Sequence, residues 1–433
     1  MAGMSHSQIL EADLTWTGER FERSARVAID ANGRIAAVGN IDGPITRRLH
    51  NRALLPGYVN VHSHAFQRGL RGRGERFPPP EGAGSFWTWR EAMYTLVNSL
   101  DREKLLTLTV QAFNEMLAAG ITTVGEFHYV HHDASQRGFT LDDVILDAAA
   151  QAGIRLVFLN TYYKTGGVDQ PLKGGQLRFR GESVDEYWGR MDVLSGRLKG
   201  PAQTLGAVAH SIRAVPIEDI IAIHAESLRR NLVFHMHVEE QKQEIQACVD
   251  RYGKTPMALF NESLTISPLF TAIHCTHTAA ADLDEFIDKG GNIGICPLSE
   301  ANLGDGIANL PRMMRSGACA CIGTDANTRL CMNEELRWLE YVQRLAREQR
   351  GCCMDESGNV AKKLFEIGTI NGARSLGLRT GKIEPRMWAD LLAVDLNAPA
   401  LAGWDENTLL DAFILGTGNS AIREVCVGGR WVR

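Results

Sequence analysis

The chain has 433 residues, 44% of them hydrophobic, and a formal net charge of −5. That length can bury a large core and suits one barrel-sized domain with a smaller companion. The acidic balance excludes a general attraction for nucleic acid or an anionic membrane surface, while a local basic pocket for an acidic small molecule stays compatible with it.

Residues 8–52 (QILEADLTW, RVAIDANGRIAAVG) are short alternating runs with an Asn-Gly turn signal, and they read as hairpins. After residue 50 the pattern changes to apolar strand runs alternating with amphipathic helical windows. Strands are expected at 54–61, 121–126, 154–160, 204–209, 232–237, 269–274, 292–296 and 319–323, with helices at 101–119, 141–152, 217–230, 280–289 and 333–350. AAGITTV, QAGIRLV, KGGNIGI and RSGACAC each put a glycine where a helix stops and a strand starts. Eight such units read as an α/β fold, a (β/α)8 TIM-like barrel over residues 53–379. Residues 380–433 return to short alternating runs, so a small β-sandwich is expected from 1–52 plus 380–433. The Gly-, Pro- and aromatic-rich segment 69–98 shows too little periodicity for a regular element and reads as a long loop walling a site.

Four pieces fall at the expected C-terminal strand ends, where a barrel gathers its chemistry: VHSH at 61–64, HVEE at 237–240, IHCTH at 273–277 and GTD at 323–325. His62 and His64 are two apart on a strand, so both imidazoles face one side and can reach one ion. His237 supplies a third nitrogen; His235, two residues deeper on the same face, is its rival and reads as core or as support behind the ligands. Asp325 can both bind a metal and accept a proton from water, and the set has the donor chemistry of a hydrolytic zinc site. Glu240, just past its strand, is placed to carry a proton from the attacking water to a leaving nitrogen; Glu239 beside it reads as a solvated surface residue. His274 is the remaining site histidine, with His277 in the following loop as its alternative.

Nothing in the chain approaches the roughly 20 apolar residues of a membrane span, and the first thirty residues hold no run of signal-sequence length. Nine scattered cysteines lack zinc-ribbon and C-x-x-C spacing; reduced thiols and a cytoplasmic protein are expected. Methionines at positions 1 and 4 leave the native start open.

LLPGYVNVHSH, HMHVEEQ, AIHCTHT, CIGTD, NGARSLGL and ADLLAVDLN together resemble the amidohydrolase superfamily over essentially the whole chain, and in particular its mononuclear zinc deaminase branch. The resemblance implies one Zn2+, or another divalent metal, on His62, His64, His237 and Asp325, with Glu240, His274 and Asp325 in catalysis. No lysine ends the fourth strand, where binuclear relatives carry a modified one; His210 stands nearby instead. The PRMWADL run lacks the glycine that usually precedes ADL in the family, a departure remote from the site. Gln67, Arg90, Tyr129, His210 and Arg213, in HSHAFQRGLRG, SFWTWRE, EFHYVHH and AHSIRAVP, resemble the substrate-binding residues of the formimidoylglutamate deiminases. That likeness implies hydrolytic deimination of N-formimino-L-glutamate in histidine degradation by a homodimer. Paired arginines suit a dicarboxylate, whereas Trp87 and Trp89 suit the alternative, a purine-like or triazine ring. A barrel that had lost catalysis is the other alternative, which the complete ligand set opposes.

Overall fold

The computed structural model describes residues 7–75 and 86–433, without the side chains of residues 86–88. Met1, Met4 and Trp87, singled out above, lie outside the described backbone or side chains.

Five strands come first: β1 (Gln8–Trp16), β2 (Phe21–Arg23), β3 (Arg26–Ile29), β4 (Ile35–Gly39) and β5 (Arg47–Pro56). The barrel strands follow: β6 (Tyr58–Ser63), β7 (Ile121–His128), β8 (Arg155–Tyr162), β9 (Gln203–Ala209), β10 (Phe234–Val238), β11 (Phe270–His274), β12 (Asn292–Ile295) and β13 (Cys319–Ile322). Three short strands end the chain: β14 (Leu391–Asp395), β15 (Ile422–Val427) and β16 (Arg430–Trp431).

Strands β6 to β13 pair in sequence order, each parallel to the next, and a bridge between Ser63 and Asp325 brings the last back to the first. This is the expected (β/α)8 barrel. Its strands are buried on both faces, as parallel strands covered by helices must be. The expected helices form within a residue or so at most ends, for example Arg102–Ala118 behind an Asp101 side chain that accepts from the Lys104 N–H. Gly120, Gly153, Gly290 and Gly317, the four punctuating glycines, all have positive φ.

The terminal strands build one mixed sheet in the order β16-β15-β14-β5-β1-β3-β4, with β2 on β1, which makes the small β domain from both ends of the chain. Strand β5 joins its halves, running parallel to β1 and antiparallel to β14.

Two expectations are corrected. The apolar run 54–61 is not one strand: residues to Pro56 finish β5, and β6 begins at Tyr58. Gly57 is the joint, because any Cβ there would stand 2.2 Å from the Thr122 side chain, and its N–H donates to the Asp390 carbonyl. The segment 69–98 is not wholly loop either, since Phe86–Asn98 is an α-helix. Met93, Leu96, Val97 and the following Leu100 are buried at helical spacing, a short signal hidden behind the Gly- and Pro-rich stretch before it.

The sheet is tied to the barrel by a buried ion pair. Arg155, the first residue of β8, donates from Nε and Nη2 to both oxygens of Asp390 at 2.7 and 2.9 Å, with side chains 2% and 0% exposed. Asp390 also accepts from Thr380 Oγ1 and the Gly428 N–H, and the guanidinium lies 4.2 Å from the Trp388 ring centre. Asp390→Asn leaves a buried guanidinium without its counter-charge. A loss of about 3–5 kcal/mol is expected, read as a lowered midpoint in denaturant unfolding of metal-loaded protein.

Candidate metal centre and substrate cavity

The four pieces converge at one end of the barrel. His62 Nε2 lies 3.1 Å from His237 Nε2 and 3.4 Å from Asp325 Oδ1, and His64 Nε2 lies 3.3 Å from the same oxygen. Nitrogen and oxygen ligands about 2.1 Å from a tetrahedral zinc would stand roughly 3.4 Å apart, so these separations suit a cation. The chemistry of the donors points the same way. His64 Nδ1 is 2.7 Å from the Phe127 carbonyl and His237 Nδ1 is 3.1 Å from the His210 carbonyl. Each Nδ1 therefore carries the proton, which turns the Nε2 lone pair inward. Burial first, then the neighbouring imidazoles, hold His62 and His237 well below the usual histidine range, and His64 falls to about 3. Neutral imidazole is the ligand form.

Backbone geometry sets Asp325. Its N–H donates to the His62 carbonyl and its carbonyl accepts from the His64 N–H, at a φ of 44°. Gly323 permits the approach, since a Cβ there would meet the His62 Cβ at 2.8 Å. Asn60 and Thr324 bond each other through side chain and backbone, and Asn327 reaches Ser63. This lattice holds a residue in a sparsely populated conformation beside the ligands.

Glu240 is buried, and its Oε2 accepts from Arg213 Nη2. His274, at φ 77°, stacks on His237 with ring centres 5.5 Å apart. Its Nδ1 faces Glu300 Oε1 at 3.1 Å, which leaves Nε2 toward the site. Burial opposes its charged form, yet Glu240, Glu300 and Asp325 outweigh that and push it up to about 10. Of the two alternatives left open, His277 is outside the cavity lining, and His235 is fully buried with Nε2 3.3 Å from the Ser375 carbonyl. Glu239 is not a surface residue: it is 0% exposed, and its Oε1 accepts from the Met257 N–H at the start of the helix Pro256–Ser263. A φ of 51° turns it inward while Glu240 faces the site.

Gln67, Arg90, Tyr129, His210 and Arg213 line the same cavity as His64, His237, Glu240, His274 and Asp325; His62 lies behind them, fully buried. Gln67 Nε2 donates to the Tyr129 hydroxyl at 2.8 Å, and Arg90 Nη2 to the Tyr163 hydroxyl at 3.2 Å. Sequence reasoning missed Tyr94, Tyr163 and Phe179 in the wall, and Glu300 and Glu244 behind it. Tyr163 had a usable signal, the NTYY that ends the third barrel strand. Glu300 sits in a helix that opens on Pro297, with no motif to mark it.

A second buried cluster, His128, His131 and Asp142, has ligand-like spacing. Asp142 is already bound by Arg190 Nε at 2.9 Å and His131 Nδ1 at 2.7 Å, while His131 Nε2 faces the Thr161 carbonyl at 2.6 Å. With both His131 nitrogens against oxygen atoms and a guanidinium on the carboxylate, His131, Asp142 and Arg190 form a hydrogen-bonded structural clamp.

His62→Ala removes one lone pair from the cage and is expected to lose tightly held metal on dialysis, measured by elemental analysis. Glu300→Gln is expected to keep the metal and lower kcat about tenfold or more, because the His274 ring loses a charged hydrogen-bond partner.

Comparison with known proteins finds relatives over nearly the whole chain. The formimidoylglutamate deiminase of Pseudomonas aeruginosa is 36% identical over 423 residues, 96% of this chain and 92% of that protein. The crystal structure of an amidohydrolase from Brucella melitensis superposes with a TM-score of 0.88 at 29% identity, covering 98% of this chain and 94% of that one. An adenosine deaminase from Xanthomonas campestris, solved with bound zinc, shares the fold at a TM-score of 0.82 and 24% identity, covering 98% and 92%. The Amidohydrolase family model matches residues 53–432, and this chain belongs to that family.

Proposed function

We propose that the protein is a metal-dependent deiminase that hydrolyses N-formimino-L-glutamate to N-formyl-L-glutamate and ammonia. The observation that carries this reading is one cavity lined both by His64, His237 and Asp325, with His62 behind them completing the cage, and by two guanidiniums, Arg90 and Arg213. A small substrate with two carboxylates and an amidine-like head matches that combination. The similarity to the P. aeruginosa deiminase supports it.

A divalent cation in the cage would supply an activated water, its pKa lowered to about 7. The work of the chain is then proton transfer and positioning. Asp325 takes a proton from the attacking water as its oxygen bonds to the formimino carbon. Glu240 takes the other proton of the water and delivers it to the nitrogen, and Asp325 returns its own to the departing group, so that ammonia leaves carrying both protons of the water. His274, held through Nδ1 by Glu300, donates from Nε2 to the oxygen on which charge develops. Arg90 and Arg213 bind the carboxylates, while Gln67, Tyr129 and His210 orient the head.

Zinc as the ion, a homodimer and a place in histidine degradation belong to this reading through resemblance; a cytoplasmic location rests on the scattered thiols, and the division into a terminal domain (1–52 plus 380–433) and a barrel (53–379) on the change of hydrophobic pattern, with β5 carrying the terminal sheet on to Pro56. No helix among the described residues is long and apolar enough to cross a membrane. The aromatic wall of Trp89, Tyr94, Tyr129, Tyr163 and Phe179 favours the second reading, deamination of a purine-like or triazine ring.

Metal-loaded protein is expected to release ammonia from N-formimino-L-glutamate and to lose that activity on chelation; release from purines instead would establish the second reading. Glu240→Gln should retain metal and lose about 10²–10⁴-fold in kcat, and a normal rate would remove Glu240 from the mechanism.

A further inference from the structure

Arg213 meets two carboxylates at once. Its Nη2 lies 2.5 Å from Glu240 Oε2 and its Nε lies 3.5 Å from Glu244 Oε2, with side chains 11%, 6% and 0% exposed. The two acids differ in their supports. Glu244 belongs to the helix Lys242–Tyr252 and also accepts from the Glu239 N–H, whereas Glu240 lies in the connection between β10 and that helix. Two carboxylates share one guanidinium in a buried place, and burial pushes Glu244 up to about 7 against the pull of Arg213. The oxygen that Glu240 gives to Arg213 is therefore engaged by the same cation that the proposed reaction offers to a substrate carboxylate.

Resting on the functional reading above, we propose that Arg213 is a two-position specificity residue: it holds Glu240 while the cavity is empty, and a substrate carboxylate takes Glu240's place. Exchange of one carboxylate for another keeps the guanidinium paired, while the released Glu240, buried without that cation, gains proton affinity. Glu244 keeps Arg213 aimed into the cavity throughout and is a positioning residue. The proton carrier becomes available only when an acid-bearing substrate is seated. Discrimination against substrates without that acid then appears in kcat as well as in KM.

The test compares N-formimino-L-glutamate with N-formimino-L-norvaline, which lacks the side-chain carboxylate, and N-formimino-4-aminobutyrate, which lacks the α-carboxylate. With metal-loaded wild type, one truncated substrate is expected to lose about 100-fold in kcat at saturation, and added propionate or formate should restore part of it. In Arg213→Gln the kcat gap between full and truncated substrates should shrink to about threefold or less while KM for the full substrate rises. In Glu244→Gln, with Glu240 left as the nearer counter-ion, kcat for the full substrate should fall about tenfold at normal metal content, and Glu244→Asp should recover part of it. Truncated substrates that lose only in KM, or a kcat gap that survives in Arg213→Gln, would overturn the proposal while leaving the deiminase reading intact. No ammonia from N-formimino-L-glutamate would overturn both.

Discussion

The site depends on one electrostatic constraint: imidazole lone pairs and a carboxylate oxygen pointed at one another inside a low-dielectric barrel. His62 Nε2 and His237 Nε2 stand 3.1 Å apart, and Asp325 Oδ1 lies within 3.4 Å of His62 and 3.3 Å of His64. Groups of this kind repel unless a cation or protons lie between them, and burial holds these imidazoles in the neutral form that leaves room for the cation. The surrounding protein accordingly fixes the outer nitrogens of His64 and His237 on backbone carbonyls. The energy of folding is thus committed to an arrangement whose full benefit comes with a bound ion.

Positive φ values cluster at the same strand ends. Glu239, His274, Cys275, Asp325 and Asn327 all lie there. Two of them redirect side chains that a regular strand would send elsewhere: Glu239 goes inward to the Met257 N–H while Glu240 faces the cavity, and Asp325 turns toward His62 and His64. Such conformations persist where surrounding bonds over-determine them. The Asn60, Thr324, Asn327 and Ser63 lattice does this at the closing seam of the barrel. At the opposite end of the barrel strands the Arg155 and Asp390 pair joins β8 to the terminal sheet with its bonds directed to both oxygens.

Charge in the cavity is arranged so that acids and cations share partners. Arg213 lies between Glu240 and Glu244, and His274 between Glu300 and the metal-site side of the barrel. Arg90 meets a neutral phenol in Tyr163. A dicarboxylate entering this space finds one arginine bound to a hydroxyl and another bound to an acid of the reaction machinery. The two guanidiniums are therefore unequal in chemical consequence although a sequence shows them as the same residue type.

The amino-acid order by itself determined the barrel and its ligand set. Period-two and helical-period hydrophobic patterns are local, glycine punctuation is local, and His62 with His64 share a face by strand alternation alone. The eight strands and the gathering of His62, His64, His237, Glu240, His274 and Asp325 at one end follow from that pattern once strands pair in order. Only the tertiary structure decided what depends on contacts distant in sequence or on a single dihedral. The division of 54–61 at Gly57 rests on Thr122 across the fold. The burial of Glu239 rests on one φ and a helix N-terminus 18 residues on. The roles open to Glu300 and Glu244 arise because His274 and Arg213 come to lie against them. No residue type or spacing encodes those meetings, because a carboxylate on a helix reads as solvated until packing removes the water from it.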